Sequence, residues 1–364
     1  MSKCINEKMS KCLVAPLNWG LGHASRCVPL IQRFLDEGHE VILGGDGESL
    51  TLLRRHFPKQ RYVCLASLNL RYGKGGSQVW AMVKALPKIA LWAYKDHVML
   101  QSLLREEKID MVVSDNRFGL YTSSPLHGGT EGGFPLTIYI THQLHIMLPK
   151  GWRWLEPVAA RMHARIYTRY SKVWVPDYEE PEKSLSGELG HPQKSFVHRT
   201  SSLCTLSYIG PLSRFSLTAK RSNSETVLQQ SSLTAQRSYS TVAVLSGLEP
   251  QRTMLERELV RRYADAEENV LIVQGLLNRP NTRIKRGTIT LVPYLSDAEL
   301  AAALKGAKHI IVRSGYSTIM DLEALSLLPS MGRSGGASIE FIPTPGQPEQ
   351  EYLATWIKQN NAFL

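Results

Sequence analysis

Short apolar runs bounded by turn residues alternate along this chain with longer, helix-like segments. The first run is Cys12-Leu13-Val14-Ala15-Pro16, followed by a loop from Leu17 to His23. A helix is predicted over about 24–37, ended by Gly38, and His39-Glu40-Val41-Ile42-Leu43 forms the next strand. That is a βαβ unit, whose strands run parallel. Further buried strands are predicted at 109–114, 136–140, 172–176 and 206–210, with a Gly-rich surface loop at 126–133. The alternation restarts with a strand at 241–245, a helix at 251–262 and strands at 270–273 and 288–292. A helix at 298–307, the run His309-Ile310-Ile311-Val312 and a helical pattern from Ile319 to Leu325 complete it. Residues 213–240 change character, being rich in Ser, Thr, Gln and basic residues, and predict a linker or mobile loop. The fold class expected is α/β: two doubly wound Rossmann-like domains, 1–212 and 241–364, facing a cleft.

Composition agrees with two globular domains: 364 residues, 43% hydrophobic and 21% charged. A net charge of +11 adds affinity for polyanions or an anionic membrane surface. No nucleic-acid recognition motif accompanies it, so no specific nucleic-acid partner is expected. The five cysteines, Cys4, Cys12, Cys27, Cys64 and Cys204, are scattered without metal spacing, which points to a reducing compartment and no bound metal. Residues 1–11 lack a signal-peptide core, and Met9 repeats the Met-Ser-Lys-Cys of Met1 as a second candidate start. The apolar stretch 79–100 carries Lys84, Lys88, Lys95 and Asp96, too many charges to span a bilayer. A cytoplasmic chain, peripheral at most on the inner face of the membrane, is expected.

The strand ends carry the candidate chemistry. Arg313-Ser314-Gly315-Tyr316-Ser317-Thr318 joins a strand to a helix start, where N–H groups and the helix dipole favour an anion. Asp321, one turn on, is placed to hold a ribose, and Gln350 and Glu351, after the Pro-rich segment 343–348, to hold sugar hydroxyls. Ser246-Gly247, with Arg252 after them, suits a phosphate approach at another strand end. In the first half, Gly20 and Gly22 bring backbone close to a ligand and His23 follows as a general-base candidate, with Asp115 at a later strand end to orient it. Asp115 paired with Arg117, or capping its loop, is the plainer alternative. Asn116, His142 and Gln143 face the same crevice as acceptor-side candidates, and His142 with His145 lacks a third nearby metal ligand. A nicotinamide reading rests on the partial glycine fingerprint and Asp46. The segments 152–172 and 79–100 interleave Trp152, Trp154, Trp80 and Trp92 with basic residues, a pattern of bilayer-surface helices or of ordinary amphipathic packing.

The strings Ala15-Pro16-Leu17-Asn18-Trp19-Gly20-Leu21-Gly22-His23-Ala24, Ser114-Asp115-Asn116-Arg117 and Ile342-Pro343-Thr344-Pro345-Gly346-Gln347 resemble the GT-B glycosyltransferases. The nearest group is that of the peptidoglycan lipid-linked N-acetylglucosaminyltransferase, and within it an uncharacterised bacterial branch. The resemblance implies transfer from a nucleotide-sugar, UDP-sugar favoured, to a hydroxyl or lipid-linked acceptor, inverting and without a metal or other cofactor. It implies diphosphate contacts from Ser314, Gly315, Ser317 and Thr318, a ribose contact from Asp321, and sugar contacts from Gln350 and Glu351. It also implies His23 as base with Asp115 as its partner, and Arg313 or Arg252 beside the leaving group. No Asp-x-Asp occurs to chelate a divalent ion. Residues 327–338 depart from the family as an insertion, and the sequence stops at Leu364 where the family continues into further helix. The rivals are a sugar-nucleotide 2-epimerase of the same fold and a non-catalytic binder of nucleotides or polyanions.

Overall fold

A computed structural model describes residues 9–68, 78–122, 135–192, 204–216, 239–328 and 336–362. The first series is β1 (Lys11–Pro16), α1 (Gly22–Asp36), β2 (Glu40–Gly45), α2 (Gly47–His56), β3 (Tyr62–Cys64), α3 (Gln78–Glu106), β4 (Met111–Asp115), β5 (Leu136–Ile140), α4 (Glu156–Tyr167), β6 (Lys172–Val175) and β7 (Thr205–Tyr208). Its strands pair in parallel in the order β3-β2-β1-β4-β5-β6-β7. The second series is β8 (Thr241–Val244), α5 (Gln251–Arg262), β9 (Val270–Val273), β10 (Ile284–Arg286), β11 (Ile289–Val292), α6 (Asp297–Gly306), β12 (His309–Val312), α7 (Tyr316–Ala324), β13 (Ser338–Phe341) and α8 (Pro348–Ala362). They order as β10-β11-β9-β8-β12-β13, with β10 alone antiparallel.

The central strands read as continuous apolar runs because helices cover both faces of each sheet. In β1, Leu13 packs with Leu100 and Leu103 of α3, while Val14 packs with Ile31 and Phe34 of α1 on the other side. Strand order reverses between β1 and β4 in the first sheet, and between β8 and β12 in the second. Parallel sheets open a crevice at such points, beyond the carboxyl ends of the strands.

Sequence reasoning missed β3 and β10 because both are exposed three-residue edges with no apolar run to announce them. Of the segment expected to be a mobile linker, 213–216 are packed: Phe215 is buried in the second core beside Val242 and Leu271. Residues 217–238 and 126–133 lie outside the described residues. So do 329–335 of the expected insertion, yet β12 and β13 pair unbroken from His309↔Ser338 to Val312↔Phe341. No helix among the described residues is long and apolar enough to cross a membrane.

The two series interlock. Leu185 and Leu189, from the first, complete the second core, and Leu277, from the second, joins the first. The turn carrying Leu185 and Leu189 is fixed by buried Asp177, which accepts hydrogen bonds from Ser184 Oγ (2.7 Å), Leu185 N (3.0 Å) and Ser186 N (3.0 Å). Gly187 within it has φ +54°, and a Cβ there would lie 2.4 Å from the Tyr352 hydroxyl and 2.7 Å from the Trp356 ring of α8. Gly187→Ala should therefore destabilise the fold by about 2 kcal/mol, read as a Tm lowered by several degrees. An unchanged Tm would mean that α8 does not pack on this turn.

Candidate active site

At the first switch point, β1 leads into the glycine loop and α1, while Asp115 ends β4 beside Pro16 in register. His23, in the first turn of α1, sets its Nδ1 2.9 Å from Asp115 Oδ1. Arg26 lies three residues on, one turn along the same helix face. Its Nε donates to Asp115 Oδ2 at 2.6 Å and its Nη2 donates to Oδ1. Burial alone would raise the Asp115 carboxyl, but the charges and hydrogen bonds of Arg26 and His23 outweigh it and hold it well below the usual carboxylate range. An ionised Asp115 accepts from Nδ1–H of His23 and leaves the lone pair of the neutral ring on Nε2. Arg26 Nη2 also stands 2.9 Å from Nδ1; with the proton on Nδ1 both are donors, so the guanidinium acts on the ring through the Asp115 carboxylate that the two share.

The same guanidinium reaches onward. Its Nη1 lies 3.1 Å from Nδ1 of His142, just beyond β5, and His142 Nε2 lies 2.8 Å from Oε1 of Glu349 in the first turn of α8. Burial lowers the His142 pKa, with Arg26 adding to it against the pull of Glu349, so the ring is neutral. Nδ1 accepts from Arg26 and Nε2–H donates to Glu349. The ring also stacks on Tyr316, with centroids 4.3 Å apart and planes at 10°. A polar chain thus runs from Asp115 through Arg26 and His142 to Glu349, from one domain to the other. Beside it, Asn116 adopts a left-handed backbone (φ 55°), and its Oδ1 accepts from the Tyr139 hydroxyl at 2.8 Å.

Across the cleft, β12 leads through Ser314 and Gly315 into α7. Gly315 is the N-cap and supplies no side-chain cap; Thr318 N donates to the Gly315 carbonyl at 2.9 Å, which leaves the N–H groups of Tyr316 and Ser317 as the uncapped ones of the first turn. Ser317 Oγ donates to the carbonyl of Gly22 at 3.0 Å, and a Cβ on Gly22 would lie 2.9 Å from that oxygen. A side chain at position 22 would displace that hydroxyl and press on Ser317 Cβ, 3.2 Å away, so glycine lets the two turns meet as closely as they do. Asp321 accepts from Ser213 Oγ at 2.5 Å and lies 3.8 Å from Arg214 Nε; burial pushes its carboxyl up to about 6 against these partners. Gln350 Oε1 accepts from Thr344 N (2.8 Å), and its Nε2 donates to Gln347 Oε1 (2.6 Å).

Between these walls lies a cleft of about 880 Å³. Of the residues expected from sequence, Gly20, Gly22, His23, Asn116, His142 and Gln143 line the first wall. Ser246, Gly247, Gly315, Ser317, Thr318, Asp321 and Gln350 line the second, and Asp115 sits behind His23.

Four donor-side expectations are placed elsewhere. Ser314 is fully buried and its hydroxyl donates to the Gln350 carbonyl at 2.7 Å. Arg252 is held by Glu249 (2.8 Å) and Glu256 (2.9 Å) along α5. Arg313 turns inward and donates to the carbonyls of Gln251, Ile342 and Pro343, tying strand exits together. Glu351 is exposed, outside the cleft lining, and accepts from Gly346 N at 3.2 Å.

Two alternatives also change. Arg117 does not pair with Asp115; it bonds Asp96 (2.8 Å) and Asp46 (2.8 Å). Asp46 also accepts from Asn18 Nδ2 at 3.1 Å and is buried, which removes it as a nicotinamide-ribose ligand. His145 faces Glu156 at 3.3 Å, and among the described residues no His, Cys, Asp or Glu cluster could hold a metal. Sequence reasoning missed Arg26, Glu349 and Arg214. Arg26 was detectable by its spacing from His23, and Glu349 by its place beside Gln350. Arg214 was hidden in polar sequence that resembled a linker.

No family model matches the chain. Over 357 residues it is 24% identical to a protein of Methanosarcina acetivorans described as an uncharacterised glycosyltransferase, covering 93% of this chain and 81% of that protein. A Methanosarcina mazei protein of the same description is 23% identical over 359 residues, with the same coverage. Among solved structures, the glycotransferase of kitacinnamycin superposes with a TM-score of 0.55 at 13% identity, over 96% of this chain and 84% of that one. Phytolacca americana UGT2, complexed with UDP-2fluoro-glucose and pterostilbene, gives 0.53 at 12% identity, over 98% and 84%. Two parallel-sheet domains facing one cleft are the GT-B fold of these neighbours.

The raised Asp321 carboxyl fixes the sign of a pH effect. Its folded pKa, about 6, exceeds the unfolded value near 3.8, so its stabilising contribution is complete below about pH 4 and is lost as pH rises through 6. Asp321→Asn should therefore be more stable than the parent at pH 7, by on the order of 1–2 kcal/mol, and no more stable below about pH 4. Denaturant melts of both proteins across that range check it.

Proposed function

We propose that this chain is a glycosyltransferase that moves a sugar from a nucleoside-diphosphate donor to a hydroxyl acceptor with inversion at the anomeric carbon. The observation that carries the reading is the opposition of two devices across one cleft. The His23–Asp115 pair stands at the switch point of the first sheet, and an uncapped helix N-terminus at that of the second. The Methanosarcina relatives described as glycosyltransferases support the reaction class. The UGT2 complex with UDP-2fluoro-glucose makes a UDP-sugar the donor to test first.

In this mechanism His23 Nε2 takes the acceptor's hydroxyl proton while the oxygen attacks the anomeric carbon. The bond from that carbon to the phosphate oxygen breaks on the opposite face, and the nucleoside diphosphate leaves with the electron pair. Asp115 stabilises the imidazolium, and Arg26 holds Asp115 in place. Leaving-group charge meets the first-turn N–H groups of α7, the Ser317 and Thr318 hydroxyls, and Arg214, which lines the same wall. The reading assigns this counter-charge to the chain's own groups rather than to a metal ion. Asp321 serves the ribose, and Gln350 with Glu349 the sugar hydroxyls. The resemblance to the peptidoglycan group, with the basic aromatic segments 79–100 and 152–172, makes lipid-linked alcohols acceptors to assay.

His23→Ala should lower transfer by about 10²–10⁴-fold while leaving UDP affinity within about twofold. Asp321→Ala should do the reverse, weakening UDP by at least about tenfold in calorimetric titration. Full turnover by His23→Ala would refute the base assignment. Release of epimerised donor without acceptor would replace the transferase with an epimerase, and tight UDP binding with no product would leave a binding protein.

A further inference from the structure

We propose that Asn116 selects the acceptor. A buried relay through Tyr139 and His163 turns its amide so that the Nδ2–H donors face the cleft, and the site takes an alcohol with a second, lone-pair oxygen beside the reacting hydroxyl. Calling that alcohol the acceptor rests on the transferase reading, whereas the relay and the direction of the amide do not.

The turn that carries Asn116 is held by its neighbours. Asn116 follows Asp115 at the end of β4, and its N–H donates to the Ile140 carbonyl at the end of β5 at 3.3 Å. The Arg117 carbonyl accepts from Ser114 Oγ and from the Tyr170 hydroxyl, each at 2.6 Å. The Arg117 guanidinium is itself buried against Asp96 and Asp46. With φ at 55°, Asn116 occupies the left-handed region, which asparagine and aspartate adopt more readily than most residues. Its side chain stands in the cleft wall that also holds His23.

Behind it, Tyr139 and His163 are buried. The Tyr139 hydroxyl lies 2.8 Å from Asn116 Oδ1 and 3.3 Å from His163 Nε2, and His163 Nδ1 has no hydrogen-bond partner among the described residues. Burial lowers the His163 pKa to about 4, so the ring is neutral and carries one N–H. Two directions of hydrogen bonding are self-consistent. In one, Nε2–H donates to the tyrosine oxygen and the hydroxyl donates to Asn116 Oδ1, which leaves only a lone pair on Nδ1 unfilled. In the other, every bond is reversed and the ring proton is left on Nδ1 in the interior. A buried N–H without a partner is rare and carries the full desolvation cost of a donor. The first direction is therefore favoured, and among the described residues none accepts from Asn116 Nδ2.

Other donors around His23 are committed. Arg26 donates to Asp115 and His142, and His142 donates to Glu349. His23 Nε2 offers a lone pair to the reacting hydroxyl, and Asn116 offers N–H groups in the same wall. One hydroxyl satisfies the base, so the amide calls for a further oxygen lone pair on the same molecule. An alcohol without one leaves that donor unpaired, which is how a polar site rejects an analogue.

The test is two NMR measurements on the full chain. The ¹⁵N shifts of the His163 ring tell which nitrogen carries the proton: Nε2–H is expected, and Nδ1–H would overturn the proposal. Titrations with 2-butoxyethanol and 1-heptanol then compare the same chain with an ether oxygen or a methylene near the hydroxyl. Asn116→Asp keeps the bond from Tyr139 and suits the same backbone, but turns a carboxylate oxygen to the cleft in place of the donor. The ratio of ether to alkanol affinity should fall by at least about tenfold in that variant, and by about threefold in Tyr139→Phe, where the amide is free to turn. Thermal melts close to the parent's show that both variants are folded. A ratio unchanged within about twofold in Asn116→Asp, or no binding of either probe to the parent, would also overturn the proposal. An intact ratio together with no transfer to any alcohol would instead sink the transferase reading and leave the amide's role standing.

Discussion

The buried ion pair of Arg26 and Asp115 is the constraint on which the cleft's first wall depends. Both side chains are almost wholly out of water, and each meets the other's charge. Removing one partner of such a pair typically costs about 3–5 kcal/mol, because the charge left behind has nothing to replace it. The pair therefore fixes α1 against the end of β4, and with it the distance from His23 to Asp115. It is a costly arrangement for stability alone, since apolar residues of similar volume would serve as well. Its use here is positional: one guanidinium orients a carboxylate, a base and a second imidazole.

The second imidazole makes the domains answer to one another. His142 touches Arg26 on its own side, stacks on Tyr316 at the start of α7, and donates to Glu349 on α8. Any shift of the donor-side helices is thus felt at the base through a neutral ring with both nitrogens engaged. Ser317 adds a shorter link, its hydroxyl held by the Gly22 carbonyl. On the proposed transferase reading, a diphosphate arriving at the N-terminus of α7 would compete for that hydroxyl, so donor binding and the contact between the two domains would act on the same few atoms.

Much of this was legible in the chain. The apolar runs at 12–16, 111–115, 241–244 and 309–312 announce central strands because both sheet faces are buried, and residues following such strands fall at switch points. His23 and Asp115, 92 positions apart, were singled out on that ground together with the glycines before His23 and the family resemblance, and they lie within hydrogen-bonding distance. Side-chain direction was not legible. Arg252 and Arg313 stand at the right strand ends, but the carboxylates of Glu249 and Glu256 and backbone carbonyls claim them first. Glu349 rather than Glu351 faces the cleft because α8 starts at Pro348, and the two residues between them rotate the side chain by about 200°, to the other side of the helix. Arg214 and Phe215 escaped notice because local polarity hides a segment whose burial is purely tertiary.

A crystal structure of the chain soaked with UDP would test the central claim most directly. The account predicts diphosphate oxygens against the backbone N–H groups of Tyr316 and Ser317, with the ribose beside Asp321 and His23 across the cleft. Diphosphate density at the start of α1 instead, against Gly20 and Gly22, would place the nucleotide on the opposite wall and contradict the division of the cleft into a base side and a donor side.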